Sequence, residues 1–151
     1  MACEITFDVS EVGPFVCGIN KTTYIPGSCT GIGIKRDGTL IGGVLYCQSN
    51  GSSVWVHVAG IGRWVTRDLL FFLFDYPFRQ LKVNQILGSV DSNNEAAIRF
   101  DEHLGFEREA VIPQAGKGDS DLIIYSLKRE SCRWWNEQTR YSGNTRLHRG
   151  G

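Results

Sequence analysis

The sequence predicts an α/β fold, an α+β mixed sheet with helices on its faces, and three observations carry that prediction. Two strand-like runs, residues 30–35 and 39–47, flank Arg36-Asp37-Gly38, and Asp-Gly is a strong hairpin signal. A third run at 53–59 follows Asn50-Gly51, so three consecutive strands form an antiparallel meander. After Thr66 the apolar spacing turns helical, and a second strand and helix follow at 83–90 and 92–104. Strand, helix, strand in that order requires a right-handed crossover and a parallel pair inside an otherwise antiparallel sheet.

The remaining elements fall around this centre. Residues 5–8 form a short first strand. Residues 10–17 allow one or two helical turns, with Ser10 as cap and Pro14 near the first turn, interrupted by Gly13 and Gly18. Residues 20–28 read as a loop with a turn at Pro26-Gly27. Thr66 caps a helix over 68–76 that is apolar nearly all round and therefore buried, and Pro77 bends or ends it. Ser92-Asn93-Asn94-Glu95 has the spacing of a capping box, with Ser92 as the cap, and Gly105 stops the helix that follows. Strands at 107–112 and 121–127 enclose a turn-rich stretch at 113–120. Residues 1–135 make the domain, and residues 136–151 form a polar, basic tail expected to be loose.

Composition narrows the function classes. A chain of 151 residues with 42% hydrophobic and 21% charged residues suits one globular domain. Its longest apolar cluster, 69–74, is far short of the roughly 20 residues a membrane helix needs. The N-terminus has no signal-peptide pattern, so the expected location is the cytoplasm. Five cysteines, Cys3, Cys17, Cys29, Cys47 and Cys132, lack metal-ligand spacing and are expected as reduced thiols. Net charge is zero, with 6 Lys+Arg against 2 Asp+Glu in residues 128–151 and 10 against 14 before them. That balance argues against nucleic acid as the main partner. No metal site is expected.

Asn94, Ala97, Ile98, Phe100, Leu104, Gly105 and Phe106, placed after a strand, resemble the helix of the GNAT superfamily of N-acetyltransferases. Residues 119–134, and Tyr76-Pro77-Phe78 with Leu81, resemble the branch of ribosomal-protein N-terminal acetyltransferases and their bacteriophage-encoded relatives. The resemblance spans about residues 30–134 and implies a central mixed sheet with splayed parallel strands and helices on both faces. It implies acetyl-CoA in the crevice where strands 53–59 and 83–90 part. Pantetheine would pair with the open edge of the first of these strands, and pyrophosphate would sit on the next helix N-terminus. The implied cofactor residues are Val58, Gly60, Arg63, Val65, Thr66, Arg67 and Asn94. The family's loop usually reads Gln/Arg-x-x-Gly-x-Gly/Ala; here the glycines of Gly60-Ile61-Gly62-Arg63-Trp64-Val65-Thr66-Arg67 come earlier.

Acyl transfer from a thioester to an amine needs a neutral amine, a stabilised oxyanion and a protonated leaving thiolate. His57 on the crevice strand is the candidate base, the alternative being a partly buried histidine bonded to a neighbour. A backbone N–H near residues 58–60 would serve the oxyanion. Many family members protonate the thiolate with a tyrosine seven residues after the helix Asn; that position here is Asp101, an aspartate ordinarily ionised. Ser92 is the alternative donor, with the helix cap as its plainer role, and Tyr125 is a further candidate. Three functions follow: an acyl-CoA-dependent N-acyltransferase acting on a protein or small-molecule amine, a non-catalytic phage-type protein of this fold that modulates a host protein, and an aminoacyl-tRNA acetyltransferase. The acidic body counts against the third.

Overall fold

The computed structural model describes residues 2–149. Met1 of the N-terminal reading and the last two residues of the tail lie outside them. The chain runs β1 (Cys3–Thr6), α1 (Val9–Asn20), β2 (Cys29–Arg36), β3 (Thr39–Cys47), β4 (Ser53–Gly60), α2 (Arg67–Asp75), β5 (Gln85–Asp91), α3 (Glu95–Leu104), β6 (Glu107–Ile112), β7 (Leu122–Lys128) and β8 (Arg146–His148). They form one mixed sheet, ordered β6-β7-β5-β4-β3-β2-β1-β8. The β4–β5 and β1–β8 pairs are parallel and the others antiparallel.

The meander forms as its turns dictate. Asp37 (φ 50°) and Gly38 (φ 82°) both take the left-handed conformation that a tight two-residue hairpin needs. Asn50 Oδ1 accepts the Ser52 and Ser53 N–H groups, closing the second turn. The same hairpin overturns the expectation of five reduced thiols. Register sets Cys29 directly opposite Cys47, Cα to Cα 4.6 Å, and the two form a disulfide. An argument from compartment alone is blind to that register.

Helix α1 is longer than the expected one or two turns, and its cap is Asp8 in place of Ser10. The Asp8 carboxylate accepts the Ser10 N–H at 3.0 Å and the Ser10 hydroxyl at 2.6 Å. Packing outweighs the poor propensity of Gly13 and Gly18. Val12 and Val16 are buried, and Val12 lies where a Cβ at Gly33 or Gly43 would come within 2.7 Å of it. The sheet glycines thus make the hollow that receives the helix.

The larger core lies on the opposite face, between the sheet and α2 with α3. Thr66 caps α2, accepting the Leu69 N–H at 3.1 Å, as expected. The regular α-helix ends at Asp75, just before Pro77, as expected. The chain widens into a π-helical turn over Tyr76–Gln80, with the Leu81 N–H on the Tyr76 carbonyl at 3.1 Å, a spacing that absorbs the missing proline donor. In α3 the cap is Asn94 and not Ser92: Asn94 Oδ1 accepts the Ala97 N–H, while Ser92 bonds across the sheet end to Asp121 through both its N–H and its Oγ. Gly105, at φ 104°, ends the helix as expected.

The segment after residue 135 is held along α2. Trp135, 3% exposed, donates its indole N–H to Asp75 Oδ1 at 2.8 Å, and Arg79 Nε reaches the same oxygen at 2.6 Å. Asp68 accepts the Tyr141 hydroxyl and both donors of Thr145. The Tyr141 ring lies against Phe72, centroids 4.8 Å apart. β8 then pairs with β1. A loose tail was expected because its polar composition hides these long-range contacts.

Candidate active site

Strands β4 and β5 share a ladder only from Ser53–Gln85 to Trp55–Leu87, and beyond it they part. A crevice of about 910 Å³ opens there. Its walls are the end of α1 and the loop after it, β4 at Val56–Val58, the far end of β5, and one face of α3. That α3 face carries Asn94, Ala97, Asp101 and Leu104, the spacing of a single helical stripe.

The open edge of β4 is usable. The Ile61 N–H on the Ile41 carbonyl fixes the pairing parity with β3. Antiparallel pairs alternate between bonding each other and facing outward, so Val56, Val58 and Gly60 present their backbone groups to the crevice side. Asn20 confirms the direction, since its Nδ2 donates to the Val58 carbonyl at 3.2 Å. Lys117 Nζ reaches across to the Asn20 carbonyl at 2.5 Å, tying the 113–120 loop to the end of α1.

His57 is solvent-accessible at the crevice wall, opposite Leu45 in register. No hydrogen bond or ion pair among the described residues engages its ring. Desolvation by the surrounding walls lowers its pKa below the ordinary 6.5, which keeps the imidazole neutral at pH 7. Asp101, half-buried, shows the reverse: desolvation first and the neighbouring Glu102 charge second raise its carboxyl to about 7. Tyr125 is fully buried and donates its hydroxyl to Glu102 Oε2 at 2.7 Å.

The expected site residues divide between two places. His57, Val58 and Asn94 line the crevice. Arg63, Val65, Thr66 and Arg67 stand at the head of α2, outside that lining, with Arg63 and Arg67 exposed. Gly60 is explained by packing: a Cβ there, or at Gly42, would lie 2.2 Å from the Trp64 ring, which lies across both glycines and stacks on Phe100 at 5.7 Å. Ser92 is absent from the lining and engaged with Asp121. Sequence reasoning did not single out Asn20, at the end of α1, or Tyr24 and Lys117, on loops with no motif, which all reach the crevice. Asp101 carried a signal, its place on the α3 stripe.

No family model matches the sequence, and no curated protein matches it. Solved structures do match the fold. One is a probable acetyltransferase, 20% identical, covering 69% of this chain and 63% of that one, with a TM-score of 0.59. The fold is that of the GNAT acetyltransferases. A second match is the spermidine N-acetyltransferase from Vibrio cholerae in complex with CoA and spermine, 20% identical, covering 70% of this chain and 68% of that one, TM-score 0.59. A third is a GNAT-family acetyltransferase from Bacillus anthracis, 14% identical over 66% of each chain, TM-score 0.56. The matched region is under two thirds of the length of the first of these structures. Within this GNAT fold no helix of the described residues is long and apolar enough to cross a membrane. No metal-ligating cluster forms among the described residues.

Proposed function

We propose that the chain is an acyl-CoA-dependent N-acetyltransferase that moves acetyl from acetyl-CoA to an amine on a protein or small molecule. The observation that carries this is the fork of β4 and β5, which leaves outward-facing backbone donors beside an unpartnered, neutral His57. Acetyl-CoA, when bound, supplies the thioester. The Val58 and Gly60 N–H groups suit a pantetheine amide, because an open strand edge binds an extended chain as an added strand would. Asn94, which caps α3 and lines the crevice, would help hold that arm. Arg63 and Arg67, with the N–H groups of Val65 and Thr66 at the head of α2, suit the pyrophosphate. His57 takes the proton of the attacking amine. The resemblance of residues 119–134 to ribosomal-protein N-terminal acetyltransferases favours a protein α-amine as acceptor, and spermine in the V. cholerae complex favours a polyamine.

The test is calorimetry with acetyl-CoA, followed by detection of released CoA thiol with a panel of α-amino peptides and polyamines. Micromolar binding with turnover of at least one amine is expected. No binding at millimolar acetyl-CoA would overturn the reading.

A second reading, a non-catalytic protein of this fold that docks on a host protein, is favoured by one observation. Asp68 places a carboxylate in the first turn of α2, held there by Tyr141 and Thr145. A fixed negative charge at that helix end opposes a pyrophosphate. The same calorimetry decides between the two.

A further inference from the structure

We propose that Asp101 is the acid that gives its proton to the departing CoA sulfur; this assignment rests on the acetyl-transfer reading of the crevice. The geometry is that of the fork itself. A Cβ placed on Gly88 would stand 3.9 Å from Asp101 Oδ2 and 4.0 Å from Val56 Cγ2, so the carboxyl sits at the point where β5 leaves β4. Gly88, lacking a side chain, keeps that point open. Asp101 projects from the α3 stripe into the same crevice that His57 lines from β4.

Its isolation is the second observation. Among the described residues no hydrogen bond or ion pair engages the Asp101 carboxyl, whereas the next residue, Glu102, is bound by Tyr125 and Arg108. Half-burial without a cationic partner disfavours the charged form of a carboxyl. The groups sharing the crevice are His57 on β4, Asp91 on β5, Lys117 on the 113–120 loop, and Cys17 with Lys21 at the end of α1. Tyr24 completes them from the loop after α1. Lys117 is spent on the Asn20 carbonyl, and no cation is bonded to Asp101. Desolvation with the Glu102 charge places its titration at about 7, which leaves a large protonated fraction at neutral pH.

The amine nitrogen bonds to the acetyl carbonyl carbon and the carbon–sulfur bond breaks. The nitrogen's proton goes to His57, and the sulfur takes the Asp101 proton to leave as CoA thiol. Solvent then removes the proton from His57 and returns one to Asp101. A base and an acid drawn from opposite walls give the two proton transfers separate carriers.

The experiment uses the full chain with an amine the wild type accepts. The variants are Asp101→Asn and Asp101→Glu, with kcat and the acetyl-CoA dissociation constant measured from pH 5.5 to 9. An acid must be protonated, so wild-type kcat falls as pH rises through about 7. Asp101→Asn is expected to lose roughly 10²-fold in kcat, the usual worth of a positioned acid, with acetyl-CoA affinity held within about twofold. Its high-pH limb disappears. Asp101→Glu keeps a limb and recovers part of the rate, a pattern that misfolding does not produce; thermal melting verifies that both variants fold. Turnover by Asp101→Asn within about threefold of wild type, or with the limb unmoved, would overturn the assignment while leaving acetyl transfer intact. A kcat that rises through pH 7 and loses that rise in Asp101→Asn makes Asp101 a base and overturns it equally. A wild type that turns over no amine overturns the acetyl-transfer reading and this assignment together.

Discussion

Replacing Asp75 by alanine removes one carboxylate oxygen, Oδ1, that accepts from two donors. Asp75 is 7% exposed, Trp135 is 3% exposed, and Oδ1 holds the Trp135 indole at 2.8 Å and Arg79 Nε at 2.6 Å. In the alanine variant the buried indole N–H has no partner, costing about 1–3 kcal/mol. Arg79 is less penalised. Its side chain is 29% exposed and it keeps its bond to the Thr139 carbonyl, so losing the ion pair costs about 1 kcal/mol instead of the several expected for a fully buried charge. The sum is about 3 kcal/mol, which for a chain of this size lowers Tm by roughly 6–12 °C. Urea unfolding followed by tryptophan fluorescence and circular dichroism measures it. Trp135→Phe supplies the partner for a double-mutant cycle, because it deletes the N–H and keeps most of the ring. Asp75→Ala in that background should cost about 1–2 kcal/mol less than in wild type. An Asp75→Ala variant within 0.5 kcal/mol of wild type (about the error of such a comparison), or a cycle that closes additively, would refute the hub.

Further expectations concern linkage, covalent state and the tail. The Asp101 carboxyl is raised from 3.8 to about 7 on folding, so its contribution is complete below about pH 4 and is lost as pH rises through 7. At ~1.4 kcal/mol per unit the ceiling is ~4 kcal/mol, which partial exposure reduces to about 1–2 kcal/mol. Asp101→Asn should therefore gain that much over wild type between pH 4 and pH 8; parallel stability curves would contradict the desolvated site. Thiol titration in denaturant without reductant should find three groups, Cys3, Cys17 and Cys132, and five after reduction. Reduction should cost about 3 kcal/mol, given the 18-residue separation that the bridge closes, and a titre of five before reduction would remove the bridge. Asp68→Ala should lower the opening free energy of β8 by about 1–2 kcal/mol, read by amide exchange at Phe7, whose N–H bonds the His148 carbonyl, with protection in β3 and β4 unchanged. Equal loss in both regions would show the tail to be part of the global unit.

What was legible in the sequence was local. Asp37-Gly38 set the hairpin because both residues tolerate left-handed backbone, and Gly105 stopped α3 for the same reason. Thr66 capped α2 one residue before its first turn, a bond made within three residues. Ser92 misled because Ser-x-x-Glu fits a capping box, yet Asp121, distant in sequence, satisfies Ser92 and leaves the cap to Asn94. Gly13 and Gly18 suggested a broken α1, and only the glycine-lined hollow of β2 and β3 explains why it runs on. In the site, His57 was readable as the histidine of the crevice strand, and Val58 came from the family resemblance. Asn20 and Lys117 were not readable, since their place depends on the end of α1 meeting the 113–120 loop across the sheet. Asp101 was readable in position but not in charge state, which burial decides after folding.

The pairing of β8 with β1 joins Glu4 to Arg146, the two ends of the described chain. During synthesis β1 emerges from the ribosome well before β8, and its outer edge then waits for the intervening chain. An open edge is a template for stray strands, and the wait exposes it throughout translation. Deleting β8 would leave that edge bare while sparing the crevice, so the expected phenotype is aggregation of an otherwise competent protein.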